Sequence, residues 1–468
     1  MGYGPDVRRK QDLTVTSPCV ETLLHVNETG AILPWLATDV TGDAAAKTVT
    51  ISLRKGVKFH DGTDFNAEAV KWNIEGNMAI DRSEVRNVAS IDVLDNYTVR
   101  LNLTRYDNSL IYALGSYIGF MTSPTYFETH GGAEGVINHP VGTGPFKFVS
   151  FERDVNLKYE RFDGYWQEGK PYLDGVEFIF ITDPMVRLAS FQAGEGDVLI
   201  QLEPHEADTL KAAGDFVFTS CIGDMLGLAG DSGHPDSPFA DIRVRQAMAY
   251  AIDPKPVIET IGKGYWIYSD QTCSAGTWGY STEPPAYSYN PQKARELLAE
   301  AGYADGLKST LIVRNTPEVW TDLYTVLQSQ LNEAGFNVTL DIADEARVHD
   351  IVMGAGWENG MFGVHYADDA DCSRSLNLMF NSKGFVYKCI GHPEEIDEVI
   401  WGITATDDFE VKKELTQKAN ALIRDKYCTL IFFANSPMLA ARYPYVHDDG
   451  FYATQMWQSD IQDTWLEK

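Results

Sequence analysis

The 468-residue chain has six cysteines, Cys19, Cys221, Cys273, Cys372, Cys389 and Cys428, and no C-x-x-C pair among them. That excludes zinc-ribbon and thioredoxin-type chemistry, which need two thiols on one turn. The longest apolar runs, such as Leu430 to Ala434, fall far short of the ~20 residues that a membrane-spanning helix requires. G-x-S-x-G, H-E-x-x-H and P-loop signatures are all missing, which removes the motif evidence for a hydrolase, zinc protease or NTPase. Basic residues are scarce: 38 Lys and Arg stand against 67 Asp and Glu, for a formal charge of -29. With no basic cluster to offset it, that charge argues against a nucleic-acid partner. No fixed-period repeat indicates a solenoid or propeller. The first residues, Met1 to Pro5, carry no signal segment.

What is present is enough apolar sequence, 44%, for a chain of this length to build more than one core, so two or more lobes are expected. Period-two alternation at 48–53 (TVTISL), 97–103 (YTVRLNL) and 156–159 (NLKY) predicts half-buried strands. A helix is predicted from Asn66, its N-cap, with Ala69, Trp72 and Ala79 along one face. Longer helices follow at 242–252, 291–301, 320–334 and 408–426, the middle two stopped by Gly302 and Gly335. Helix 320–334 lies between strands 309–313 and 337–342, the order and length of a βαβ crossover, which predicts a parallel pair. The chain thus reads as α/β. The cysteines closest in sequence, Cys372 and Cys389, are the candidate disulfide, with buried inert thiols as the alternative.

The run LRKGVKFHDGT at 53–63, followed by FNAEAV at 65–70, resembles a signature of the family 5 peptide and nickel solute-binding proteins of ABC transporters. In the same order come GAILPWLA at 30–37, PVGTGPF at 140–146, Tyr165-Trp166, KPYLD at 170–174, VRQAMAYAID at 244–253 and YNPQKA at 289–294. The family's leading Leu-Asp-Pro is not evident before Val20. Gly142 and Gly144 read as a tight turn with unusual backbone angles, and Gly62 as a turn between strand and helix.

The resemblance implies a two-lobed, periplasmic-binding-protein-like α/β fold (cluster C type), with mixed β-sheets flanked by helices and a ligand cleft between the lobes. Residues 1–228 and 436–468 would form lobe I, including a strand-rich subdomain at roughly 40–150, and 229–435 lobe II. The chain crossings would lie near 227–230 and 434–437. It implies a monomeric binding protein without enzymatic activity or cofactor, held outside the cytoplasmic membrane as a lipoprotein, that passes a short peptide to an ABC permease. Nickel chelates and oligosaccharides are alternative ligands on the same scaffold; an acid/base hydrolase and a ligand sensor are the alternatives of another class.

The segment GVHYADDAD at 363–371 resembles the family's ligand loop, where an aromatic residue stands three positions before an aspartate. Here His365 takes the aromatic position and Asp368 the acidic one, which the family pairs with a ligand ammonium. Three carboxylates and His365 lack the spacing and glycine turn of a calcium loop, so no metal site is expected. A ligand carboxylate wants a guanidinium fork, and Arg314, at the end of a predicted strand, is the first candidate, ahead of Arg82, Arg86 and Arg347. Tyr366, Trp357, Trp278 and Trp266 are candidate cleft aromatics. The stretch Tyr117 to Met121 has no arginine, whereas the nickel-chelate binders use one there.

Overall fold

The computed structural model describes residues 11–27, 29–357, 359–367, 371–384, 386–451 and 459–467. The alternating segments are strands whose inward side chains are the apolar ones. Thr48–Leu53 buries Val49, Ile51 and Leu53, and Thr98–Leu103 buries Val99, Leu101 and Leu103. With Ala37–Asp43 and Val88–Asp95 they form a four-stranded antiparallel sheet. Helix Ala67–Ala79 is capped as expected, Asn66 Oδ1 accepting the Ala69 N–H at 3.0 Å. Its buried face differs from the expected one. Ala69 is buried as expected, but it is joined by Ala67, Val70, Asn73, Ile74 and Asn77, while Trp72 is half-buried against Phe127 and Ala79 is exposed. Asn73 and Asn77 turn inward because their amides bond backbone carbonyls there, satisfaction that a reading by hydrophobicity does not anticipate.

Gly142 and Gly144 serve close approach, not an unusual backbone angle. A Cβ on either would lie 2.3 Å from Cys19 O or 2.5 Å from Pro18 O. Between them Thr143 donates to buried Glu21 at 2.7 Å, and Glu21 also accepts from Tyr165, Trp166 and Trp35. Burial pushes Glu21 up to about 7 against those four donors.

A seven-stranded mixed sheet dominates the rest. Its order is Val198–Ile200, Ile431–Arg442, Val217–Gly230, Met361–Ala367, Leu307–Arg314 and Phe336–Ala343, with Ile267–Tyr268 also beside Ile431–Arg442. The predicted βαβ unit is present: Leu307–Arg314 and Phe336–Ala343 pair in parallel from Leu307↔Phe336 to Arg314↔Ala343, with helix Glu318–Glu333 between them. Gly302 and Gly335, both at φ 97°, end the helices before these strands.

Two long strands, Val217–Gly230 and Ile431–Arg442, run antiparallel through the middle of the molecule. Met225 to Ala229 and Phe432 to Ala434 pack into cores built from residues 225–434. Cys221, Met438 and Leu439 pack instead among residues from the two ends of the chain. The change of core coincides with a register shift between Cys221 and Asp224. There Gly223 lets the chains touch, since a Cβ would lie 1.8 Å from Ser436 O.

The disulfide joins Cys273 to Cys372, across 99 residues of sequence, not Cys372 to Cys389. Cys389 is a buried thiol whose sulfur accepts the Trp357 backbone N–H at 3.2 Å. Bridging depends on Cα separation, here 5.1 Å for Cys273 and Cys372, and nearness in sequence does not supply it.

Candidate functional site

In a mixed α/β sheet the carboxyl ends of parallel strands are where side chains and helix N-termini converge on a ligand. Leu307–Arg314 pairs in parallel with both Phe336–Ala343 and Met361–Ala367, so all three end on one edge, which helix Glu318–Glu333 begins beside. Along Met361–Ala367 successive side chains alternate between the sheet's faces. His365 lies on the side of helix Glu318–Glu333, its ring stacked 4.4 Å from Trp320 and 5.4 Å from Tyr324. Tyr366 lies on the other side, 6.4 Å from Tyr387. Tyr324 reaches this close to the strand because residue 363 is glycine; a Cβ there would lie 2.6 Å from its ring. The Tyr324 hydroxyl sits 3.0 Å from Gly227 O and 3.1 Å from Val364 O, fixing the strand end. The Tyr387 hydroxyl donates to His365 O at 2.9 Å.

Arg314 acts on the same group. Burial holds the His365 imidazole well below its ordinary range and the Arg314 guanidinium lowers it further, so the ring is neutral at pH 7. His365 Nε2 is buried without a hydrogen-bond partner among the described residues. Arg314 Nε lies 3.4 Å from Glu345 Oε2, yet it too is buried with no hydrogen bond of acceptable geometry. Glu345 is 70% exposed, so this ion pair holds Arg314 weakly. A buried guanidinium donor and a buried imidazole nitrogen, both without hydrogen-bond partners among the described residues, mark a place where a ligand's polar atoms gain more than water would give them.

On the neighbouring strand stands a carboxylate that the sequence reading did not select, with a second one near it. Asp224, at the register shift, is the strand partner of Ala367 and Ser436, and its charge raises both Glu203 and Tyr387. Burial, then repulsion from Glu206, pushes Glu203 up to about 7, against the pull of Arg187, which pairs with Glu206 at 2.7 Å. The signal for Asp224 was a lone carboxylate in the apolar run Ile222 to Ala229.

The other expected site residues fall elsewhere. Trp357 is a core residue, 2% exposed and stacked on Phe362 at 5.2 Å; Trp266 is likewise core, packed on Trp320. Both lie in loop-like sequence, but aromatic area this large is driven inward. Trp278 packs on Phe409 and under the Lys412 ammonium at 5.0 Å, beside the Lys412–Asp371 ion pair and the disulfide. Arg86 and Arg347 form exposed ion pairs with Asp81 and Asp341, and Arg82 lies over Tyr117 at 5.6 Å. Asp368 lies outside the described residues, and it follows Met361–Ala367 directly in sequence.

Contacts between the strand-rich N-terminal region and residues 371–407 are polar and specific. Arg374 pairs with Glu84 at 3.1 Å, both largely buried. Burial pushes Glu84 up, but Arg374 and local hydrogen bonds outweigh it and hold the carboxyl below its usual range. The Asn108 amide donates to the carbonyls of Ile403 and Thr406.

Separate cores threaded by two long strands, with Arg314 and His365 at the carboxyl ends of parallel strands, are an arrangement that suits a receptor for a small solute. The chain belongs to the bacterial extracellular solute-binding proteins, family 5, whose middle-region model matches residues 31–385. It is thus a solute-binding protein of the ABC-importer type, as the sequence motifs implied. The glutathione-binding protein GsiB of Salmonella choleraesuis is 28% identical over 389 residues, covering 80% of this chain and 75% of that protein. An ABC transporter substrate-binding protein from Sinorhizobium meliloti superimposes with a TM-score of 0.78 at 26% identity, covering 97% of this chain and 95% of the other. NikA from Brucella suis, solved with Fe(III)-EDTA, gives 0.86 at 23% identity, covering 100% and 98%. The expected α/β, periplasmic-binding-protein-like architecture is therefore correct.

Proposed function

We propose that this receptor takes a short peptide or an amino-acid conjugate carrying both an ammonium and a carboxylate, and passes it unchanged to an ABC permease. The observation that carries the reading is that groups of both kinds meet at the end of one strand pair: Arg314 beside His365, and Asp224, the strand partner of Ala367, with Glu203 near it. The guanidinium takes the carboxylate, neutral His365 donates or accepts beside it, and Asp368 shares the ammonium with Asp224, while Tyr366 covers the solute from the Tyr387 side. Glutathione, for whose binding the GsiB relative is named, carries charges of both kinds, one ammonium and two carboxylates. Binding without catalysis is the reading that membership of a solute-binding family supports.

In this reading the chain up to about residue 222 with 436–468, and residues from about 225 to 435, move as two lobes about the strand crossings, a boundary a few residues before the 228/229 expected from the sequence. The register shift beside Gly223 supports a pivot at 221–225, and the pairs Arg374–Glu84 and Asn108–Ile403 serve as closure contacts. The protein works outside the cytoplasmic membrane as a lipid-anchored monomer; the Cys273–Cys372 disulfide is consistent with an oxidising compartment.

The test is calorimetric titration with di- to tetrapeptides and glutathione, their N-acetylated and C-amidated forms, nickel with histidine, and an oligosaccharide. Binding that is lost when either terminus is blocked supports the reading; binding of the nickel chelate or sugar alone overturns it. Proton linkage gives a second expected outcome. Glu203 titrates near 7 in the free protein, and an ammonium beside it favours the carboxylate, so binding releases a proton. Affinity should therefore rise between pH 5.5 and 7.5, by up to about tenfold per pH unit, before amine deprotonation near about 8 reverses it. Stability of the free protein runs the opposite way: a raised carboxyl contributes most below its unfolded value and loses that contribution as pH passes about 7. Titrations in buffers of different ionisation enthalpy count the released proton.

A further inference from the structure

We infer that Asp231, His234 and Cys389 form a binding site for a divalent cation of borderline softness, zinc in the first instance, away from the solute site. One ligand atom from each residue lies within 4.8 Å of the others. Carboxylate, imidazole and thiolate are the donors that zinc accepts together, at distances that put tetrahedral ligand atoms roughly 3.3–3.8 Å apart. Side-chain shifts of about an ångström therefore close the set around an ion.

The surroundings are those of a held site. Asp231 is fully buried, and its Oδ2 accepts the Asn359 backbone N–H at 2.7 Å, which orients the carboxylate. The Cys389 sulfur accepts the Trp357 backbone N–H at 3.2 Å, a bond that favours the thiolate the metal needs. The two segments are already docked by Gly233 N to Cys389 O at 2.8 Å and Gly391 N to Ser232 Oγ at 2.7 Å. His234, whose side chain is 52% exposed, bonds Asp231 through Nδ1 at 2.8 Å and lies on the solvent side. It can exchange that hydrogen bond for a metal bond, with water completing the coordination. The chain's charge of -29 favours cation approach. No motif marks the three residues, since Cys389 joins the other two only through the fold. A bound ion would tie the turn after Val217–Gly230 to the segments on either side of Met361–Ala367.

The experiment uses the full chain, without solute, titrated with zinc chloride alone against a chromophoric chelator, and with cobalt(II) chloride followed by absorption. One equivalent of zinc should bind. His234→Ala should weaken it at least about tenfold, with circular dichroism checking that the fold survives the loss of buried Asp231's partner. Cobalt should give a sulfur-to-metal charge-transfer band that Cys389→Ser abolishes. Absence of stoichiometric binding, equal affinity in His234→Ala, or a cobalt spectrum without the sulfur band would each overturn the site and leave a structural Asp231–His234 ion pair.

Discussion

Arg314→Ala is expected to weaken peptide binding by about 2–5 kcal/mol, the range for removing one partner of a buried charge pair, or about 30-fold and upward in Kd. The effect is large because Arg314 has no strong partner among the described residues. Its Nε is buried without a hydrogen bond, and Glu345 beside it is mostly exposed. Its charge is therefore available to a ligand. Loss of the guanidinium also relieves His365, whose ring it helps keep neutral. Arg314→Lys separates the two contributions, since lysine keeps the charge and loses the planar fork. A substantial loss in that variant too indicates bidentate recognition. Calorimetry with the unmodified and C-amidated peptide is the check: the Arg314→Ala penalty should shrink toward zero for the amide. An undiminished penalty would place Arg314 in a structural role.

The second large effect is on stability. Replacing Cys273 and Cys372 together by serine removes a cross-link that closes a loop of about 100 residues, for which chain entropy gives about 4–5 kcal/mol. The bridge ties the loop carrying Trp278 to the first residue of helix Cys372–Phe380, next to the buried Lys412–Asp371 ion pair. Loosening it should therefore expose that pair as well. Denaturant unfolding should show the lowered midpoint, and the same shift should appear when the native protein is treated with reductant. Solute affinity should fall as well where Asp368 contributes, because the bridge anchors the chain four residues after it. An unchanged midpoint in both measurements contradicts this account of the disulfide.

The sequence carried the fold wherever local pattern and tertiary role agree. The alternating strands, the Asn66 cap, the glycine stops and the βαβ crossover all depend on period and backbone freedom, and each is found. It misled where contact between distant segments decides. Gly142 and Gly144 are glycines because Pro18 and Cys19 come close, Cys372 pairs with Cys273 because the fold brings them together, and Trp357 and Trp266 are buried. At the candidate site, Arg314 could be read because it ends a recognisable strand, and His365 because its segment resembles the family's ligand loop. Asp224 and Glu203 could not be joined to them, since they come from an apolar strand and a helix start far away in sequence. Period-two alternation also places His365 and Tyr366 on opposite faces of the sheet, a constraint already present in the sequence.

The central claim is that the two lobes close over an intact solute, and small-angle X-ray scattering of the full chain, with and without a saturating peptide shown by calorimetry to bind, tests it most directly. The account predicts a smaller radius of gyration and a single closed scattering profile at saturation, with the peptide recovered unchanged from the same sample. Superimposable profiles with and without bound peptide, or recovery of cleaved peptide, would contradict it.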